Sequence, residues 1–129
     1  MRFTPLFAFP LILMTGSAAV PQASPTVLVQ LSNFKFTPST IVLDHGQSYV
    51  LRLVNSGSGG HDFTASDFFA AANVAAADRA LVAEGEVEVP PGKAIDIHLT
   101  APAAPGRYKL KCSHTFHKAF GMSGEIVVR

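Results

Sequence analysis

The feature that most constrains this chain is a series of short stretches in which apolar and polar residues alternate, each cut off by a turn sequence. Thr26 to Phe36 (TVLVQLSNFKF) sets Val27, Val29 and Leu31 against Leu28, Gln30 and Ser32, and Pro38 stops it. Thr40–Leu43 ends at Asp44-His45-Gly46, and Ser48–Val54 ends at the loop NSGSGG. His61–Thr64, Glu84–Val89, Ala94–Thr100, Arg107–Cys112 and Glu125–Arg129 continue the series, divided by Pro90-Pro91-Gly92 and by residues 102–106. A period of two sends successive side chains to opposite faces of a strand, so these runs predict strands with one buried face. One short helix is expected, with Ser66 as N-cap and Asp67 in its first turn, running to Ala72 before an irregular connection. About eight short strands and one helix predict an all-β fold, a Greek-key β-sandwich.

The first 19 residues have a different character. Arg2 precedes the apolar run LFAFPLILM, and Ser17-Ala18-Ala19 supplies the small residues of a cleavage site. This is the layout of a secretory signal peptide. Nine apolar residues with a proline among them are too short for the ~20 needed to span a bilayer. The expected organisation is residues 1–19 as a cleaved leader and residues 20–129 as one domain, exported to the periplasm or secreted, with no membrane span after cleavage.

Composition narrows the function. Ten Lys+Arg against nine Asp+Glu in 129 residues exclude the electrostatic footprint of a nucleic-acid binder. A single cysteine excludes an internal disulfide. In an oxidising compartment that cysteine is a core residue, a liability or a metal ligand.

The residues around it favour the third role. Cys112-Ser-His-Thr-Phe-His117-Lys-Ala-Phe-Gly-Met122 places a thiolate, an imidazole and a thioether in one loop between two strands. His61, which follows the glycine-rich loop and opens a strand, is the candidate fourth ligand. Two His and one Cys with a weak axial Met are the donor set of a blue-copper site. Zinc is disfavoured, because Met is a poor ligand for it. His45 and His98 lie in a turn and on a polar strand face and read as surface residues.

These residues resemble the cupredoxin family, the small blue type 1 copper proteins of plastocyanin and azurin type. The resemblance rests on Phe34-Lys35-Phe36-Thr37-Pro38, Ile41-Val42-Leu43, Gly46 and Leu51-Arg52-Leu53-Val54-Asn55 in the first half. In the second half it rests on His61-Asp62-Phe63, Pro91-Gly92, Gly106 to Cys112 and Gly121 to Val128. It implies an eight-stranded sandwich with one copper ion near one end, His61, Cys112 and His117 equatorial and Met122 axial. Two positions depart from the family pattern. Asp62 stands where many cupredoxins have Asn; it is able to accept from Ser113, and a carboxylate near copper tends to lower the potential. His114 is an additional imidazole beside the ligand loop.

Lys111 and Ser113 flank Cys112 where multicopper oxidases have the histidines of an oxygen-reducing cluster, and a binuclear copper centre needs two cysteines. The expectation is therefore a non-enzymatic, monomeric one-electron carrier. It would dock a redox protein near His117 through Phe116 and Phe120. A copper carrier or chaperone, motivated by His114 and Asp62, is the alternative, and a metal-free binding module is a second one.

Overall fold

The computed structural model describes residue 10, residues 12–17 and residues 23–129. The segment read as an export signal falls largely outside the described residues. Among them, ten strands form two five-stranded sheets. The strands are β1 (Thr26–Ser32), β2 (Lys35–Thr37), β3 (Thr40–Leu43), β4 (Ser48–Asn55), β5 (His61–Thr64), β6 (Asn73–Val74), β7 (Glu86–Val89), β8 (Ala94–Thr100), β9 (Gly106–Lys111) and β10 (Ser123–Val128). The first sheet runs β2-β1-β4-β8-β6 and the second β3-β10-β9-β5-β7. The chain thus changes sheet repeatedly, and β1–β4 and β3–β10 pair in parallel while the other pairs are antiparallel.

The period-two pattern selects the buried faces as expected. Tyr49, Leu51 and Leu53 point inward from β4, Ile97 and Leu99 from β8, Leu110 from β9, and Ile126 and Val128 from β10. Arg52 and Asp96, facing each other across the β4–β8 register, form a bidentate ion pair on the wet face. Phe63 is fully buried and meets Phe36 and Phe69 edge-on, each at 6.0 Å between ring centroids.

Four local expectations need correction. The run Thr26–Phe36 is not one strand: it folds back at Asn33-Phe34 into the β1–β2 hairpin. The first helix, α1 (Ser66–Ala71), is capped by the Ala65 backbone, with no side-chain cap hydrogen bond. Ser66 Oγ instead lies 3.5 Å from the Glu84 carbonyl oxygen. The alanine-rich connection holds β6 and a 3-10 segment, Ala76–Leu81. A second short helix, α2 (Thr115–Ala119), lies inside the candidate ligand loop.

Candidate metal centre

Chain topology gathers the candidate ligands at one end of the sandwich. His61 is the first residue of β5, Cys112 directly follows β9, and Met122 directly precedes β10. The β9–β10 register pairs Lys111 with Ser123, so the eleven-residue span between them must loop out beyond the sheet end. Helix α2 takes up that span and carries His117. The Cys112 N–H donates to the Met122 carbonyl at 3.1 Å, and the Met122 N–H donates to the His117 carbonyl at 3.0 Å. Gly121, at φ +74°, makes the left-handed step that lets the chain turn back into β10.

His61, Cys112 and His117 each present a ligand atom within 4.8 Å of the other two. Cys112 Sγ lies 3.3 Å from His117 Nδ1, and the two imidazole centroids are 4.4 Å apart. His61, Cys112 and Met122 are buried, whereas His117 is half-buried. Met122 is thereby placed in the core beneath the loop, with its backbone tied to both Cys112 and His117.

The chemistry of this donor set fits a metal ion. Among the described residues, His61 Nδ1 is the buried side-chain nitrogen or oxygen with no hydrogen-bond partner. Such an orphaned polar atom is costly unless something else satisfies it. Burial holds the His61 imidazole below its ordinary pKa, with the neighbouring His117 and His114 adding to the effect. It therefore favours the neutral ring a metal requires. Burial pushes the Cys112 thiol up, against the N–H groups of Asp62 and His114, which favour the thiolate. A metal binding there must displace that thiol proton.

A second set of groups surrounds the first. Asp62 is fully buried and accepts from the Ser113 N–H at 2.8 Å, from the Thr64 hydroxyl at 2.7 Å and from the Ser113 hydroxyl. Its own N–H points at Cys112 Sγ, 3.5 Å away. Asp62 thus ties β5 to the loop that follows Cys112, the bond to Ser113 that its position suggested. His114 stacks on His117 with centroids 5.1 Å apart, and its Nε2 lies 3.0 Å from a Glu88 carboxylate oxygen. Burial, together with the carboxylates of Asp62 and Glu88, raises the Glu86 carboxyl above its ordinary range. His45 and His98 are on the surface, engaged with the Arg129 carbonyl and with Asp78.

Asn33, and the place of Phe34 at the site, escaped sequence reasoning. Asn33 Oδ1 lies 3.0 Å from His61 Nε2, and Phe34 packs on both His117 and Phe120 at 5.1 and 4.7 Å between centroids. Nothing local marks either residue; their role follows from the hairpin that returns the chain beside the site. Phe116 and Phe120 are largely solvent-exposed, at 75% and 66%, next to the half-buried His117.

Two facing sheets with His, Cys and His donors converging at one end define a β-sandwich protein with a candidate metal centre. The chain belongs to the cupredoxin-like domain family, whose sequence model matches residues 5–128. No curated protein sequence matches it. Among solved structures it is similar to a dithionite-reduced auracyanin from the photosynthetic bacterium Roseiflexus castenholzii. That match has 21% identity and a TM-score of 0.60, and covers 84% of this chain and 99% of that one. Auracyanin A, a "blue" copper protein of Chloroflexus aurantiacus, matches at 17% identity and TM-score 0.59, over 83% of this chain and 100% of that one. The McoA multicopper oxidase of Aquifex aeolicus matches at 16% identity and TM-score 0.63, over 88% of this chain but 32% of the oxidase. At these identities the likeness is one of fold.

Proposed function

We propose that this chain is an exported, single-domain type 1 copper protein that carries one electron at a time between redox partners. One copper ion would be held by His61, Cys112, His117 and Met122. Bound there, copper supplies a one-electron couple between Cu(II) and Cu(I). The observation that carries the reading is the buried, unpartnered Nδ1 of His61 in a cluster with one thiol and one further imidazole. The described blue copper character of auracyanin A supports it.

The rest is work done by the chain's own side chains. Full burial of His61, Cys112 and Met122 excludes water from three of the four donors. Asp62 locks the two ligand-bearing segments together through Ser113, so the donor positions are set before a metal arrives. Of the two imidazoles only His117 reaches the surface, which makes it the route for the electron. Phe116 and Phe120 offer an apolar contact for a redox protein, and a near-neutral chain has little long-range steering. Encounters of this kind bury little area and release quickly. The chain makes and breaks no bonds in this role, and it acts outside the cytoplasm as a monomer. Among the described residues no helix is long and apolar enough to cross a membrane.

Copper delivery to another protein is the second reading. It is favoured by His114 and Asp62, whose ligand atoms also lie within 4.8 Å of Cys112 and offer a departing ion alternative donors. The two are separated by adding one equivalent of Cu(II) to the purified metal-free protein. An electron carrier develops intense absorption near ~600 nm with narrow copper hyperfine splitting, cycles reversibly and holds the ion against a chelator. A pale, wide-splitting spectrum with rapid loss to the chelator identifies a copper carrier, and no uptake at all removes both readings.

A further inference from the structure

The deepest-buried imidazole of the cluster contacts a residue 28 positions upstream. Asn33 sits at the β1–β2 turn, and its Oδ1 lies 3.0 Å from His61 Nε2. An amide oxygen accepts and never donates, so this contact requires the proton on Nε2 and leaves Nδ1 bare. Nδ1 is the buried atom without a partner. The Asn33 amide has a second contact, its Nδ2 donating to Ser58 Oγ at 3.2 Å.

The glycine-rich loop is shaped around this contact. Buried Asn55 accepts from the Gly57 N–H at 2.8 Å and donates to the carbonyls of Gly59 and Val89, at 2.9 and 2.8 Å. It folds residues 56–60 against the end of the sheet. A Cβ at Gly57 would stand 2.7 Å from His61 Nε2 and 2.8 Å from Asn33 Oδ1. Only a residue without a side chain lets the backbone pass over the hydrogen bond. Two separate loops, one bringing an acceptor and one clearing space for it, thus converge on the far side of the His61 ring from its free nitrogen.

We infer that Asn33 is the positioning residue of the metal centre: it selects the His61 tautomer that leaves Nδ1 free, and Gly57 is the glycine that admits it. The inference rests on the metal-centre reading for its purpose, but not for its test. The tautomer is observable in the metal-free protein from long-range 1H–15N correlations of the His61 ring. The expected wild-type result is a protonated Nε2 and a bare Nδ1. Asn33→Leu, which keeps the bulk and removes the acceptor, is expected to mix the tautomers. Asn33→Asp, which keeps only acceptors, is expected to restore the wild-type pattern. Gly57→Ala is expected to give the Asn33→Leu signature with Asn33 intact, which preserves the test if the leucine variant fails to fold.

In Cu(II) titrations, loss of this support is expected to weaken binding about 10- to 100-fold, as for other groups that orient a ligand from behind. A protonated Nδ1 in the wild type, or a His61 spectrum indifferent to both Asn33→Leu and Gly57→Ala, overturns the inference. Absence of copper uptake by a wild-type protein that shows the expected tautomer overturns the metal-centre reading instead.

Discussion

Replacing Asp62 by Asn tests the electrostatics of the site with little disturbance to its packing. The Asp62 carboxylate is fully buried, and an oxygen of it lies within 4.8 Å of Cys112 Sγ. Two unit charges about 5 Å apart in a medium of effective dielectric 20 interact by about 3 kcal/mol. For one electron that corresponds to about 0.1 V, since about 1.4 kcal/mol equals 59 mV. Removing a negative charge makes the centre easier to reduce, so the potential should rise by on the order of 0.1 V. Stability should change little. An Asn oxygen still accepts from the Ser113 N–H, and its NH2 is able to donate to the Ser113 hydroxyl. Asp62→Ala is the contrasting control: it removes the charged acceptor of the part-buried Ser113 N–H and should cost about 1–3 kcal/mol. Cyclic voltammetry of the copper-loaded variants gives the potential, and urea denaturation of the metal-free ones gives the stability. A potential that is unchanged or lower in Asp62→Asn, with the visible band intact, would refute the charge argument.

Phe63→Ala should destabilise the fold by about 3–5 kcal/mol, measurable by denaturant unfolding, because the ring is fully buried between Phe36 and Phe69. Phe116→Ser with Phe120→Ser should slow electron exchange with a redox protein about tenfold, roughly 1.4 kcal/mol of docking. The potential should hold, since both rings are exposed; stopped-flow kinetics provide the check. The His98 backbone N–H, and then its ring, hold the Asp78 carboxyl below the usual carboxylate range. A depressed acid stabilises the fold above its unfolded pKa near 3.8, and that stability is lost as pH falls through the lower folded value. Asp78→Asn should therefore melt at a lower temperature than wild type at pH 7, with the gap closing under strong acid.

The sheets were legible because a half-buried strand writes its two faces into alternate residues: Tyr108 and Leu110 against Arg107, Lys109 and Lys111 is an example. The Cys112, His117 and Met122 spacing was legible because all three lie on one loop. The β1–β2 hairpin was not, since Asn33-Phe34 carries no glycine or proline and its one mark is a shift of the apolar phase from Val27, Val29 and Leu31 to Phe34 and Phe36. Ser66 read as a cap because hydroxyls favour that position, but here its side chain turns to the Glu84 carbonyl. Helix α2 spans five residues, too few for any periodic signal. The Asn33–His61 contact is tertiary, made between the β1–β2 turn and the start of β5, which only the folded sheets bring together.

The most direct examination of the metal centre is a crystal structure of the copper-loaded protein with anomalous scattering collected at the copper edge. One ion is expected per chain, bonded to His61 Nδ1, Cys112 Sγ and His117 Nδ1 with Met122 beside it. The strongest peak among Asp62, Glu86 and Glu88 instead, with Cys112 left free, would contradict it.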